Sequence, residues 1–195
     1  HLVHESIADA YVERLAATAE RLPIGDPAKQ EVVLGPMIDE RQRDRVHGFV
    51  TASVDAGARL AAGGIYDALF YRPTVLADVT PGMAAYDNEV FGPVAPVIRF
   101  STLDEAAALA SGTEYGLSLG ILTRDVMKGL DLADRIPSGI VHINDQTIND
   151  EAVAPFGGVG ASGTGSRLGG PEWNIDAFTE TQWVTVRGDI APYPM

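Results

Sequence analysis

The segment Asn88-Glu89-Val90-Phe91-Gly92-Pro93-Val94 sets one carboxylate and one aromatic ring two residues apart on a turn. Gly92 frees the backbone, and Pro93 fixes its own φ and pushes Gly92 away from the helical region. Val90 and Val94 are apolar and can anchor the turn in a core, which leaves Glu89 to project toward a polar ligand. A carboxylate beside an aromatic ring suits a pair of ribose hydroxyls next to a flat, cationic nicotinamide. A buried turn carrying a solvated glutamate satisfies the same pattern.

Two other patterns match catalytic motifs but lack the context that gives those motifs their mechanism. Gly158-Val159-Gly160-Ala161-Ser162-Gly163 fits G-x-G-x-x-G, which holds a pyrophosphate only between a strand and a helix N-terminus. Here more glycines follow instead of a helix, so the loop is expected to let backbone pass closely beneath a site. Gly116-Leu117-Ser118-Leu119-Gly120 fits G-x-S-x-G, and Asp131 or Asp134 followed by His142 supplies the order of a serine hydrolase triad. The nucleophile elbow needs a sharp strand-to-helix turn after the serine. Ile121-Leu122-Thr123 reads instead as a continuing strand, which leaves a hydrolase using Ser118 as a minor alternative.

Histidines stand at positions 1, 4, 47 and 142 without metal-ligand spacing, and His142, in an apolar run, reads as a hydrogen-bonded core residue. With no cysteine in 195 residues, disulfides and thiolate metal sites are excluded and a cytoplasmic location is expected. Lys+Arg of 14 against Asp+Glu of 27 gives a net charge of −13. Such a chain repels nucleic acid and anionic membranes. No apolar run approaches the length of a membrane span, and a 46% hydrophobic composition suffices for one sizeable core.

The elements that must hold these residues follow from periodicity. Ser6-x-x-Asp9 predicts a capped helix to about Arg21, with Ile7, Tyr11, Leu15, Ala19 and Leu22 on its apolar face. Asp39-x-x-Gln42 starts a second helix with Val46, Phe49, Val50 and Val54 inward, ended by Gly57. Residues 59–62 predict a short strand, and residues 70–79 an irregular strand that tolerates Pro73 near an edge. Residues 94–100 form a near-continuous apolar run, as in a strand covered on both faces. Thr102 caps an alanine-rich helix; residues 117–122 and 140–143 predict strands around a helix over 125–136. Strands alternating with helices imply an α/β fold with a parallel sheet covered by helices, and residues 94–100, 117–122 and 140–143 are expected in one sheet. A short helix over 172–177 precedes Trp183-Val184-Thr185-Val186-Arg187, an apolar edge strand that invites another chain.

Taken in order, several segments resemble the NAD(P)-dependent aldehyde dehydrogenases. The segment Asn88 to Val94 resembles their glutamate-phenylalanine-glycine-proline signature, after Leu69-Phe70-Tyr71-Arg72-Pro73-Thr74-Val75-Leu76-Ala77-Asp78-Val79. Tyr115-Gly116-Leu117-Ser118, Ser138-Gly139-Ile140-Val141-His142-Ile143-Asn144, Pro155-Phe156-Gly157-Gly158 with Ser162-Gly163, and Phe178-Thr179-Glu180 follow. The run from Val141 to Thr147, joined to that from Ala154 to Gly163, looks most like the branch acting on aromatic aldehydes such as benzaldehyde, salicylaldehyde or vanillin.

The resemblance implies oxidation of an aldehyde to the carboxylic acid with NAD or NADP. Glu89 would bind the nicotinamide ribose hydroxyls and Phe91 would pack on the nicotinamide side. Phe156 would line the aldehyde tunnel, and Thr147, Ile148 and Asn149 would meet substrate from its outer wall. Glu180 would serve an interface rather than act as a base. Enzymes of this type attack the aldehyde carbon with a cysteine thiolate, and the thiohemiacetal so formed loses hydride from that carbon to the nicotinamide; no residue here can be that thiolate. The nucleophile and the general-base glutamate are therefore expected upstream, and the chain reads as a C-terminal piece, inactive alone, that needs the missing N-terminal part of the same enzyme. Residues 1–170 would be the C-terminal part of the catalytic domain, and residues 171–195 an oligomerisation arm whose strand crosses a subunit interface in a dimer or tetramer. The alternative is a stand-alone, non-catalytic oligomerisation module.

Overall fold

The computed structural model describes residues 1–190, so the last five residues of the expected arm lie outside the described residues. The chain divides into two compact units, at Thr113 and Glu114.

In order, the first unit contains β1 (Leu2–His4), α1 (Glu5–Arg21), α2 (Glu40–Asp55), β2 (Arg59–Ala62), β3 (Tyr66–Asp67) and β4 (Phe70–Tyr71). It continues with β5 (Thr74–Ala77), α3 (Ala84–Asp87), β6 (Val94–Pro96), β7 (Ile98–Phe100) and α4 (Leu103–Ala110). Strand β5 is central, antiparallel to β2 and parallel to β6. All four of its residues are buried, and their alternation feeds two cores. Leu76 joins Val46, Val50, Tyr71, Val79 and Ile98 beneath α2, while Val75 and Ala77 join Val3, Ala8, Val12 and Val97 beneath α1. Burying each of the Val, Leu and Ile side chains among them stabilises the fold by about 1.5–3 kcal/mol before entropy is counted.

The expected strand over 70–79 is two strands, because Pro73 interrupts the ladder between β4 and β5. The apolar run 94–100 also divides, at Val97. Its N–H donates to Leu76 and its carbonyl accepts from Val79, while β6 pairs with β5 and β7 pairs with β1. A continuous apolar run thus conceals a change of partner. Helix α1 begins at Glu5, and His4 caps it by accepting from the Ser6 N–H at 3.2 Å. Asp9, expected in the capping box, instead receives Arg99 at 2.5 Å, and Arg99 also holds Asp78 at 2.8 Å. On α1 the expected Ala19 is buried and Tyr11 and Leu15 pack against the same core, but Ala8 and Val12 are its other buried residues and the expected Ile7 is exposed. In α2 the Asp39 cap, Val46, Val50 and the Gly57 stop are as expected, but Ser53 is buried in place of Val54.

The second unit contains β8 (Tyr115–Gly116), β9 (Ser118–Ile121), α5 (Val126–Arg135), β10 (Ile140–Ile143), β11 (Val159–Gly160) and α6 (Pro171–Phe178). β9 and β10 pair in parallel through α5, a crossover whose N-terminus is capped by Asp125. β8 pairs antiparallel with β11. The single sheet expected for residues 94–100, 117–122 and 140–143 is not formed among the described residues: β6 and β7 have partners inside the first unit, and β9 pairs with β10. Trp183 to Arg187 pairs with no strand of the described chain, and Trp183 is 88% exposed. A strand exists only within a ladder, so the expected terminal strand is not formed in the single chain.

Candidate functional site

The turn at residues 88–94 is fixed from three sides. Val90 is buried in the α2 core and Val94 packs against that core, as their types predict. The Pro93 carbonyl accepts from Thr74 N–H at 2.8 Å, which ties the turn to the head of β5. From α2, the side-chain amide of Gln42 donates to the carbonyls of Val90 at 3.2 Å and Phe91 at 3.0 Å. A second α2 side chain, the buried Ser53 hydroxyl, accepts from Ala85 N–H at 2.9 Å and anchors α3 just upstream.

Gly92 does not supply the left-handed residue. Its position before Pro93 holds it in the ordinary region, and Phe91 carries the positive φ of 49°. That conformation costs a non-glycine residue on the order of 1 kcal/mol or more, and the Gln42 bonds offset it. Gly92 is needed for space instead, since a Cβ there would lie 2.8 Å from Val46 Cγ2. As a result the Phe91 ring stands 70% exposed. It faces a cleft of about 490 Å³ shared with Met37, Ile38, Asp39, Arg41 and Gln42. Glu89 is exposed and makes no hydrogen bond or ion pair among the described residues. A free, acceptor-only carboxylate and a bare ring face on one rigid turn fit a paired-hydroxyl group attached to a flat ring.

The remaining candidates belong to the second unit. Asn149 is turned back into its own loop, donating to Asp145 Oδ2 at 2.6 Å, while Gln146 N–H donates to Asp145 Oδ1 at 2.8 Å. The Asn149 amide, the Gln146 N–H and the nearby His142 together hold the Asp145 carboxyl below the usual carboxylate range. The Thr147 methyl lies against Gly120, where a Cβ would come within 2.9 Å. Ile148 is 78% exposed. Phe156 forms a two-bond bridge with Leu168, N–H to carbonyl at 2.6 Å and 2.9 Å, and is 43% exposed.

His142 is not the hydrogen-bonded core residue that its setting suggests: it is half-buried, and its Nε2 is buried without a partner among the described residues. Ser118 opens β9 and the strand runs on to Ile121, so no nucleophile elbow forms. Residues 158–163 pass through β11 into tight turns with no helix following, so the pyrophosphate geometry is absent there. Among the described residues no group of three or more His, Asp or Glu side chains could hold a metal, and no helix is long and apolar enough to cross a membrane.

The aldehyde dehydrogenase family model matches residues 1–184. This chain belongs to the aldehyde dehydrogenase family. Vanillin dehydrogenase of Amycolatopsis sp. is 69% identical over 194 residues, covering 100% of this chain and 40% of that protein. Benzaldehyde dehydrogenase [NAD(+)] of Pseudomonas putida is 48% identical with the same coverage. The crystal structure of a salicylaldehyde dehydrogenase from Pseudomonas putida G7, complexed with salicylaldehyde, superposes with a TM-score of 0.92 at 37% identity, covering 100% of this chain and 40% of that one. This aldehyde dehydrogenase chain therefore spans about 40% of the length of the relatives it matches. Gln42 and Ser53 are the positioning residues that sequence inspection missed. A glutamine at the third position of a capping box and a serine in an apolar stripe were the available signals.

Proposed function

We propose that this chain is the C-terminal part of the catalytic domain of an enzyme that oxidises an aromatic aldehyde to its carboxylic acid with NAD+ or NADP+. The observation that carries the reading is the turn at Glu89 and Phe91, a free carboxylate and an exposed ring fixed by Gln42 and Val90. The names of the similar proteins, which concern vanillin, benzaldehyde and salicylaldehyde, support the aromatic substrate class.

In this reading Glu89 accepts the two nicotinamide ribose hydroxyls and Phe91 limits where the ring can lie. The nicotinamide, when bound, takes up the hydride. Phe156 lines the aldehyde passage, with Ile148 at its outer wall and Thr147 and Asn149 shaping the loop that carries it. The chain has no cysteine, so the thiolate nucleophile of the proposed reaction lies outside it, and the general-base glutamate is assigned to the same missing part by the family resemblance. The enzyme is cytoplasmic and homo-oligomeric, and residues 171–195 form the arm that reaches a second subunit. Exposed Trp183, Val184 and Val186 are the apolar side chains such a contact would cover.

The purified 195-residue chain mixed with benzaldehyde and either nucleotide is expected to give no reduced cofactor. The complete enzyme is expected to oxidise benzaldehyde faster than propanal at equal concentration. Turnover by the chain alone, or a preference of the complete enzyme for propanal, would contradict the reading.

A further inference from the structure

Arg167 and Leu168 act on two other consecutive residues. Through its backbone, Leu168 exchanges both hydrogen bonds with Phe156. Through its side chain, Arg167 Nη1 donates to the carbonyls of Gly157 and, at 3.1 Å, Gly139. Gly139 directly precedes β10, so the guanidinium links the backbone just after Phe156 to the parallel β9–β10 pair. The three backbones meet so closely that side chains are excluded. A Cβ on Gly139 would collide with the Gly157 carbonyl, and one on Gly157 would lie 2.8 Å from Arg167 Cδ.

The side chain is part-buried and has no carboxylate within ion-pair reach among the described residues. A guanidinium held only by neutral carbonyls is not there for charge pairing. Both bonds leave Nη1, whose two N–H groups are fixed in the guanidinium plane and so aim at the two carbonyls in set directions, which an ammonium on a flexible stem does poorly.

We propose that Arg167 is a positioning residue that fixes the Phe156 ring, and so sets the width of the aldehyde passage for flat, aromatic substrates; this rests on the reading of Phe156 as a wall of that passage. Arg167 touches neither substrate nor cofactor in this account. It acts by removing the slack in residues 156–157 that would let the ring swing.

The test is steady-state kinetics of the full-length enzyme with Arg167→Lys, Phe156→Leu and the double variant, using benzaldehyde, propanal and the nicotinamide nucleotide. Arg167→Lys keeps the charge and most of the stem, and thermal melting shows whether it folds. The expected result is a rise of about tenfold in the KM for benzaldehyde, with propanal and nucleotide constants within about twofold. Phe156→Leu should move the benzaldehyde-to-propanal ratio in the same direction, and the double variant should be no worse than the poorer single. Equal losses for both aldehydes, with a lowered melting temperature, would mean that Arg167 is merely structural and would overturn the proposal. Multiplicative effects in the double variant would overturn it too. An unchanged ratio in Phe156→Leu would show that the reading of Phe156 had failed, and the positioning role with it.

Discussion

The side-chain amide of Gln42 donates to the carbonyl of Phe91 at 3.0 Å, across 49 residues of sequence. A helix that buries Val46 and Val50 in the core thereby also dictates the backbone of the turn presenting Glu89 and Phe91. The same Nε2 reaches the Val90 carbonyl at 3.2 Å, so one amide group restrains two successive peptide units. The left-handed conformation at Phe91 persists because its neighbours over-determine it.

Replacing Gln42 by Leu keeps the volume and removes both donors. In the complete enzyme the KM for the nicotinamide nucleotide should rise by about tenfold, since two hydrogen bonds of modest net worth are lost. The KM for benzaldehyde should hardly move. An unchanged nucleotide KM in a folded Gln42→Leu protein would show that the turn keeps its shape without α2.

Gly92→Ala should destabilise the first unit through contact with Val46 rather than through backbone strain. The added methyl would lie 2.8 Å from Val46 Cγ2 and 2.9 Å from Cγ1. Overpacking of this kind costs about 1–3 kcal/mol. Urea titration of Gly92→Ala, Val46→Ala and the pair should give a double-variant loss smaller than the sum of the single losses, because trimming Val46 opens the space. Strict additivity would refute the contact.

Tyr71 is 1% exposed and its hydroxyl lies 3.1 Å from His47 Nδ1. Burial, reinforced by Tyr66, pushes its pKa from 10.0 up to about 12. The folded state therefore holds a proton that the unfolded chain releases. The associated stability is fully present below pH 10.0 and falls as pH rises toward about 12. Urea midpoints across that window should decline for the native chain and decline less for Tyr71→Phe. Identical slopes would contradict the assignment.

Much of this arrangement was legible in the sequence, and the misses share a cause. Val90 could be read as the anchor of the turn because an apolar β-branched residue beside a Gly-Pro pair has little else to do. The Asp39 cap and the Gly57 stop follow from local chemistry, and the structure has both. What escaped depends on contacts distant in sequence. Gly92 drew attention as the flexible residue, yet the tertiary packing of Val46 explains it, and the left-handed backbone falls one residue earlier. Gln42 looked like a cap completing its own helix, and its partners lie at Val90 and Phe91. Ser53 interrupts an apolar stripe for the sake of Ala85. The run at 94–100 is apolar throughout, and composition alone does not reveal that β6 and β7 serve different neighbours.

The proposed role of Glu89 is to hold the nicotinamide ribose of an aldehyde-oxidising enzyme. The decisive variant is Glu89→Gln in the full-length protein, with nucleotide binding and benzaldehyde oxidation followed by the fluorescence of the reduced cofactor. The side chain is exposed and unpartnered among the described residues, so folding should be untouched. A charged acceptor exchanged for a neutral one should raise the nucleotide KM and lower kcat/KM by about ten- to a hundredfold. The melting temperature and the benzaldehyde KM should stay where they were. Unaltered nucleotide kinetics in Glu89→Gln would contradict the account.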